Sequence, residues 1–215
     1  MKEMKTIIDD PRWEEAGKLY EAQNWADALA LFKALADDGV AAAYVAIARI
    51  YEYGYNGKYG YDRGVKQDHV EAFKWHLKAY EAGYGAGAIG LARLLTTGEG
   101  VERDYEKAFL YLAQVKRNHI VEVYRDLGMM YDTGKGVTQD HKKAKRMYLC
   151  AIAKGDKTAY TPVGVLLTKS GHKAKGYWLM FYGLFQCILL VLRGAWEAGQ
   201  SNQRHDRPEK MAGQA

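Results

Sequence analysis

The stretches LTTGEGVERDYEKAF (95–109) and YDTGKGVTQDHKKAK (131–145) write one pattern twice, 36 residues apart. A third copy begins YEYG at 51–54 and resumes RGVKQDHVEAFKW at 63–75. Superposing them aligns Gly54, Gly98 and Gly134; Gly64, Gly100 and Gly136; Val65, Val101 and Val137; Asp68, Asp104 and Asp140; and Ala72, Ala108 and Ala144. Upstream, Ala48, Ala92, Gly128 and Gly164 match, each followed three residues later by Tyr51, Leu95, Tyr131 or Leu167. The units run 40–83, 84–119 and 120–155. The first is eight residues longer, and the excess is a tyrosine-rich insertion at 55–62. A fixed period of this length signals stacked supersecondary units.

Each repeated position has a physical task. Tyr44, Ile47, Ala48 and Tyr51 recur at helical spacing and give a first helix one apolar face. An Ala or Gly at the centre of that face admits a close neighbour. The G-x-G-V segment ends the helix, because glycine tolerates the left-handed cap, and its Val turns into the core. Asp68, Asp104 and Asp140 stand where a second helix needs an N-cap, and Asp68 with Glu71 has capping-box spacing. Ala72, Phe73, Trp75, Leu77 and Ala79 then carry the second helix to Gly83. Such hairpins bury their faces only by stacking. The expected fold is all-α, an α-solenoid of about five antiparallel helix pairs.

These residues resemble the Sel1-like repeat, a relative of the tetratricopeptide repeat, over 40–155. Before it, WEEAGKLYEAQNWADALALFKALADDG looks like a tetratricopeptide-style first unit at 11–39, after a short lead at 1–10; Gly17, Tyr20, Ala28 and Gly39 fall in step. After it, KTAYTPVGVLLTKSGHKAKGYW resembles a last unit without its G-x-G-V-x-x-D loop, within 156–196. Secreted cysteine-rich relatives staple each pair with a disulfide, and nothing here can do so. His119 replaces the closing glycine of the middle unit, which should loosen that turn.

The totals agree with a helical interaction protein. The chain has 215 residues, three prolines and a net charge of +5, too little positive charge for a dedicated nucleic-acid binder. Cys150 and Cys187 lie in apolar helical runs without metal-ligand spacing and are expected as buried thiols of a reducing compartment. The opening MKEMKTIIDDPRW lacks the apolar core of a signal peptide, so a cytoplasmic N-terminus is expected.

Enzyme signals are weak, and neither catalysis, a cofactor nor a metal is expected. Ser170 and Lys173 match S-x-x-K, but in a glycine-bearing hairpin and without the companion motifs of that chemistry. A hydrolase using Ser170 is the remote alternative. His69 and His141 follow the capping aspartates as surface residues. Gly85, Gly87 and Gly90 have dinucleotide-loop spacing but no preceding strand.

The resemblance implies that first helices line a concave groove, with the residue after the small central one pointing into it. That row is Lys18, Arg49, Arg93, Met129 and Val165; Arg125 lies one turn earlier, and Glu52, Thr96 and Asp132 one turn later. A basic row beside an acidic one could clamp an extended peptide, since Arg binds carboxylates bidentately. Tyr53, Tyr55, Tyr59 and Tyr61 of the insertion either pack back on adjacent helices or form a partner-contact loop.

Residues 176–192, GYWLMFYGLFQCILLVL, carry no charge, and Gly176, Gly183, Cys187 and Gly194 mark a smooth stripe. Three covers are open: a membrane, the preceding helices or a second copy, or a partner. The polar segment 197–215 is expected to be disordered. The function expected is a non-catalytic scaffold or adaptor holding a protein or peptide in its groove. The alternatives are a regulator attached to the inner membrane by 176–196, or, by family analogy, an immunity protein that neutralises a secreted toxin.

Overall fold

The same few bonds close each repeated hairpin, and they fix where the helices start. The structure, a computed structural model, describes residues 10–54, 64–115 and 120–205. Oδ1 of Asp68, Asp104 and Asp140 accepts from the backbone N–H of Glu71, Lys107 and Lys143, each at 2.9 Å. A cap of this kind contributes about 1 kcal/mol. The aspartates' own N–H groups reach back to the carbonyls of Tyr51, Leu95 and Tyr131 at 2.9, 3.0 and 2.8 Å. That return bond leaves Glu71 no capping box to complete; its carboxylate pairs instead with Lys74 at 3.0 Å. Gln67 and Gln139 also bond the carbonyls of Glu52 and Asp132, both at 2.6 Å.

Ten α-helices are described: α1 Pro11–Glu21, α2 Trp25–Asp37, α3 Ala41–Tyr53, α4 His69–Glu81, α5 Ala86–Thr97, α6 Tyr105–Val115, α7 Val121–Thr133, α8 His141–Ala153, α9 Tyr160–Lys169 and α10 Lys173–His205. No β-strand occurs among the described residues. Gly98 and Gly134 end α5 and α7 in the left-handed conformation, at φ 77° and 72°. Gly54 does not follow them. It leaves α3 at φ −56°, and a Cβ there would lie 2.6 Å from the backbone nitrogen of Gln67. In this hairpin the glycine serves close backbone approach rather than a left-handed cap.

Two compact units divide the chain, Met1–Ala144 and Lys145–Ala215. In the first, each helix from α1 to α7 packs on the next. Leu35, Ile47, Ile50, Leu91, Leu94 and Leu112 are fully buried, each such side chain contributing about 2 kcal/mol. Trp13 meets Phe32 edge-on at 5.3 Å, and Tyr20 stacks on Trp25 at 5.3 Å. Ala48, Ala72 and Ala108 are wholly buried, and Ala92 nearly so, the small contacts the repeat demands. Gly87 and Gly90 belong to the same packing. A Cβ on Gly87 would lie 2.6 Å from the His76 carbonyl oxygen and the Tyr80 nitrogen, and one on Gly90 would meet the His76 imidazole. Their G-x-x-G spacing brings α5 onto α4.

In the second unit, a 3-10 turn at Lys157–Ala159, capped by Asp156, leads into α9, which packs along α10. The helices cross at Gly164 and Gly176: a Cβ on either would come within 2.7 Å of the other's carbonyl oxygen. Val163, Leu166 and Leu167 are buried, and Tyr160 sits over Gly183. α10 continues to His205, beyond where the disordered tail was expected to begin; the sequence meets no proline until Pro208. Cys150 and Cys187 are free and half-buried, less enclosed than expected. No described helix is long and apolar enough to cross a membrane.

Candidate binding groove

The first helices of three successive hairpins share one cleft of about 300 Å³. α1 contributes Trp13, Gly17, Tyr20 and Glu21; α3 contributes Ala42, Val45, Ala46 and Arg49; Tyr84 and Ala86 close it at the start of α5, with Phe32 behind. The walls are largely apolar and aromatic, with one cation and one anion at the lining.

The cleft runs past an open glycine of α1. Nothing lies within 4 Å of where a Cβ on Gly17 would stand. A mid-helix glycine costs roughly 1 kcal/mol relative to alanine, so this one has no packing reason for its size. Ala16, wholly buried, takes the small central position that the sequence alignment gave to Gly17. On α1 the cleft is therefore lined by Gly17. Lys18 does not line the cleft; it is exposed and pairs with Glu14 at 2.7 Å.

Arg49 lies on the lining, exposed, and has no hydrogen-bond or ion-pair partner among the described residues. The other expected cations are engaged. Arg93, half-exposed, forms an ion pair with Glu52 and lies 3.7 Å from Glu99. Arg125 lies 3.7 Å from Asp126. The expected acidic row is also engaged. Glu52 is buried, where Oε1 accepts from Nε2 of His76 at 2.8 Å. Burial alone would push the Glu52 carboxyl up, but the bond and charge of His76, with Arg93, more than offset it and hold it below the usual range. Asp132 accepts from Nδ1 of His141 at 2.9 Å, and the Thr96 hydroxyl donates to the Arg93 carbonyl at 2.8 Å. Met129 is exposed on α7, while Val165, half-buried, belongs to the second unit.

Tyr53 is exposed at the end of α3; Tyr55, Tyr59 and Tyr61 lie outside the described residues, as does His119. The Ser170 hydroxyl donates to the Leu167 carbonyl at 3.0 Å, as a residue closing a helix does. No cluster of metal-ligating side chains occurs among the described residues. Sequence reasoning missed Trp13, Tyr20 and Tyr84 as cleft walls and His76 as the partner of Glu52. The signal for the first was the adjacent pair Ala16–Gly17, which offered two registers for α1.

The family model described as Sel1 repeat matches residues 41–84, 85–114 and 121–156. Among solved structures, a Sel1 repeat protein from Oxalobacter formigenes superposes with a TM-score of 0.67 at 20% identity, over 80% of this chain and 69% of that one. A sel1 repeat protein from Klebsiella pneumoniae gives 0.56 at 20% identity, over 81% and 85%. The protective antigen c5321 of uropathogenic Escherichia coli gives 0.52 at 21% identity, over 75% and 42%. At these identities the likeness is one of fold.

Proposed function

The chain belongs to the Sel1 repeat family, whose members act as scaffolds for protein partners, and from that premise we propose that it holds an extended segment of a partner in the cleft along α1, α3 and α5. The observation that carries this reading is that Arg49, with no partner among the described residues, lines the same cleft as the open backbone of Gly17. An apolar side chain of the partner enters between Trp13, Tyr20 and Tyr84 and gains from leaving water. A carboxylate next to it receives the guanidinium of Arg49, a charge-assisted bond that gives register as well as affinity. The role is non-catalytic. The cleft offers one cation, one carboxylate and aromatic walls, and no nucleophile with an adjacent base. Tyr53 and the insertion that follows it serve as a second contact for the same partner.

A random peptide library selected on the immobilised chain tests the reading. Recovered sequences should place a large apolar residue beside Asp or Glu. They should lose binding to Gly17→Leu, which fills the cleft, and to Arg49→Glu, which reverses its charge. Recovery of the same peptides by the double variant would overturn it.

A further inference from the structure

α10 carries two lengthwise stripes, and its own unit covers only one. Gly176, Met180 and Gly183 face α9, where Gly164 and Tyr160 close on them. The other stripe is Tyr177, Phe181, Leu184, Ile188 and Val191, spaced four, three, four and three residues apart, each between 47% and 71% exposed. Trp178, Phe185 and Leu189 widen it. An apolar repeat averaging 3.5 residues is the seam one helix offers another, because it stays on one side through several turns. No charged residue interrupts 176–192.

We propose that a second copy of this chain covers this stripe, with the two α10 helices antiparallel and Leu184 at the two-fold axis. Three observations select that occupant. The first is area. Eight large side chains of roughly 150–250 Å² each, about half exposed, present on the order of 800 Å², one side of a standard interface. The second is shape. Leu184 is the middle residue of the stripe, so the antiparallel match sets Tyr177 against Val191 and Phe181 against Ile188, a bulky ring facing a branched aliphatic each time. A parallel match would set ring on ring and bring the two Lys173 side chains together. The third is length: no described helix is long and apolar enough to cross a membrane. An isologous contact satisfies both copies at once and leaves neither face open. α10 shares no residue with the groove cleft, so this inference stands apart from the groove reading.

Sedimentation equilibrium of the full chain tests it. The wild type should have twice the chain mass, and Leu184→Glu, which sets two carboxylates against each other at the axis, should weaken self-association about a hundredfold. Because Leu184 is exposed in the single chain, the circular dichroism of Leu184→Glu should match wild type, and so should its melting curve once both proteins are diluted until they are monomeric. In a Cys150→Ser, Cys187→Ala background, Leu184→Cys should oxidise to a cross-linked dimer by itself, while Tyr177→Cys should do so only when mixed with Val191→Cys. A monomeric wild type, a dimer indifferent to Leu184→Glu, or a wild-type monomer that floats with phosphatidylcholine–phosphatidylglycerol vesicles would each overturn the proposal.

Discussion

Nε2 of His76 donates to Oε1 of Glu52 at 2.8 Å between two side chains that are each 3% exposed, the only polar pair among the described buried residues. Arg93 reaches the same carboxylate from α5, so one buried anion ties α3, α4 and α5 together. Removing one member of a buried pair costs more than the pair contributes, because the partner remains without water. Glu52→Ala should therefore destabilise the chain by about 2–4 kcal/mol in urea unfolding. A loss below 0.5 kcal/mol, within the range of ordinary surface substitutions, would show that the cluster has little structural weight.

The same pair has a pH signature. A carboxyl held below its unfolded value near 4.5 stabilises the fold above that value, and the contribution is lost as pH falls through the folded pKa. Asp104 and Asp140 are held low in the same direction, chiefly by the backbone N–H groups of Lys107 and Lys143, so acid weakens several sites at once. The difference between wild type and Glu52→Gln isolates the buried one. That difference should shrink as pH falls below the unfolded carboxyl value near 4.5. A gap that widens on acidification would reverse the assigned sign.

Gly90 and His76 should be coupled. A methyl on Gly90 would meet the imidazole, whereas one on Gly87 would meet backbone atoms of α4 that cannot move aside. Gly90→Ala should cost about 2 kcal/mol, the scale of core overpacking. Combined with His76→Ala, it should cost about 1–2 kcal/mol less than the sum of the two singles, measured as a double-mutant cycle. Gly87→Ala should show no such relief. Additive behaviour at Gly90 would place the ring elsewhere.

Arg49 and Arg93 look equivalent in the repeat and should behave differently. Arg49→Glu touches no described partner and should leave stability within about 0.5 kcal/mol while abolishing capture of library-selected peptides. Arg93→Glu places a carboxylate beside buried Glu52 and should unfold more readily, by about 2–3 kcal/mol. Equal stability of the two variants would contradict the division of roles between them.

The fold was legible because the repeat constrains it three times over. The caps at Asp68, Asp104 and Asp140 occupy their expected places, and Ala48, Ala72 and Ala108 are buried as expected. The groove was only partly legible. Alignment locates a position along a helix, but a long side chain can turn from it toward a neighbour supplied by another helix. Arg93 turned to Glu52 and Asp132 to His141, partners 41 and 9 residues away in sequence. Glu52 was buried by His76, a residue special to one hairpin: Leu112 and Tyr148 occupy its place in the others. Ala16 and Gly17 offered adjacent small residues, and only packing distinguished the one that is covered from the one that is open.

Deleting residues 55–62 should leave the fold standing. The hairpin that carries them is closed by Asp68 N–H to the Tyr51 carbonyl at 2.9 Å and by Gln67 to the Glu52 carbonyl at 2.6 Å. The third repeat closes with the same pair of bonds, at 2.8 and 2.6 Å, and has no insertion. The deletion restores the 36-residue period and leaves Gly54 free to adopt the left-handed cap that Gly98 and Gly134 already show. Helical circular dichroism should be unchanged, and the melting temperature should stay within a few degrees, since loop length enters stability only logarithmically. Peptides bound through the cleft alone should keep their affinity, and a full partner that also touches the tyrosines should dissociate faster. A collapsed melting transition would instead make the insertion part of the core packing.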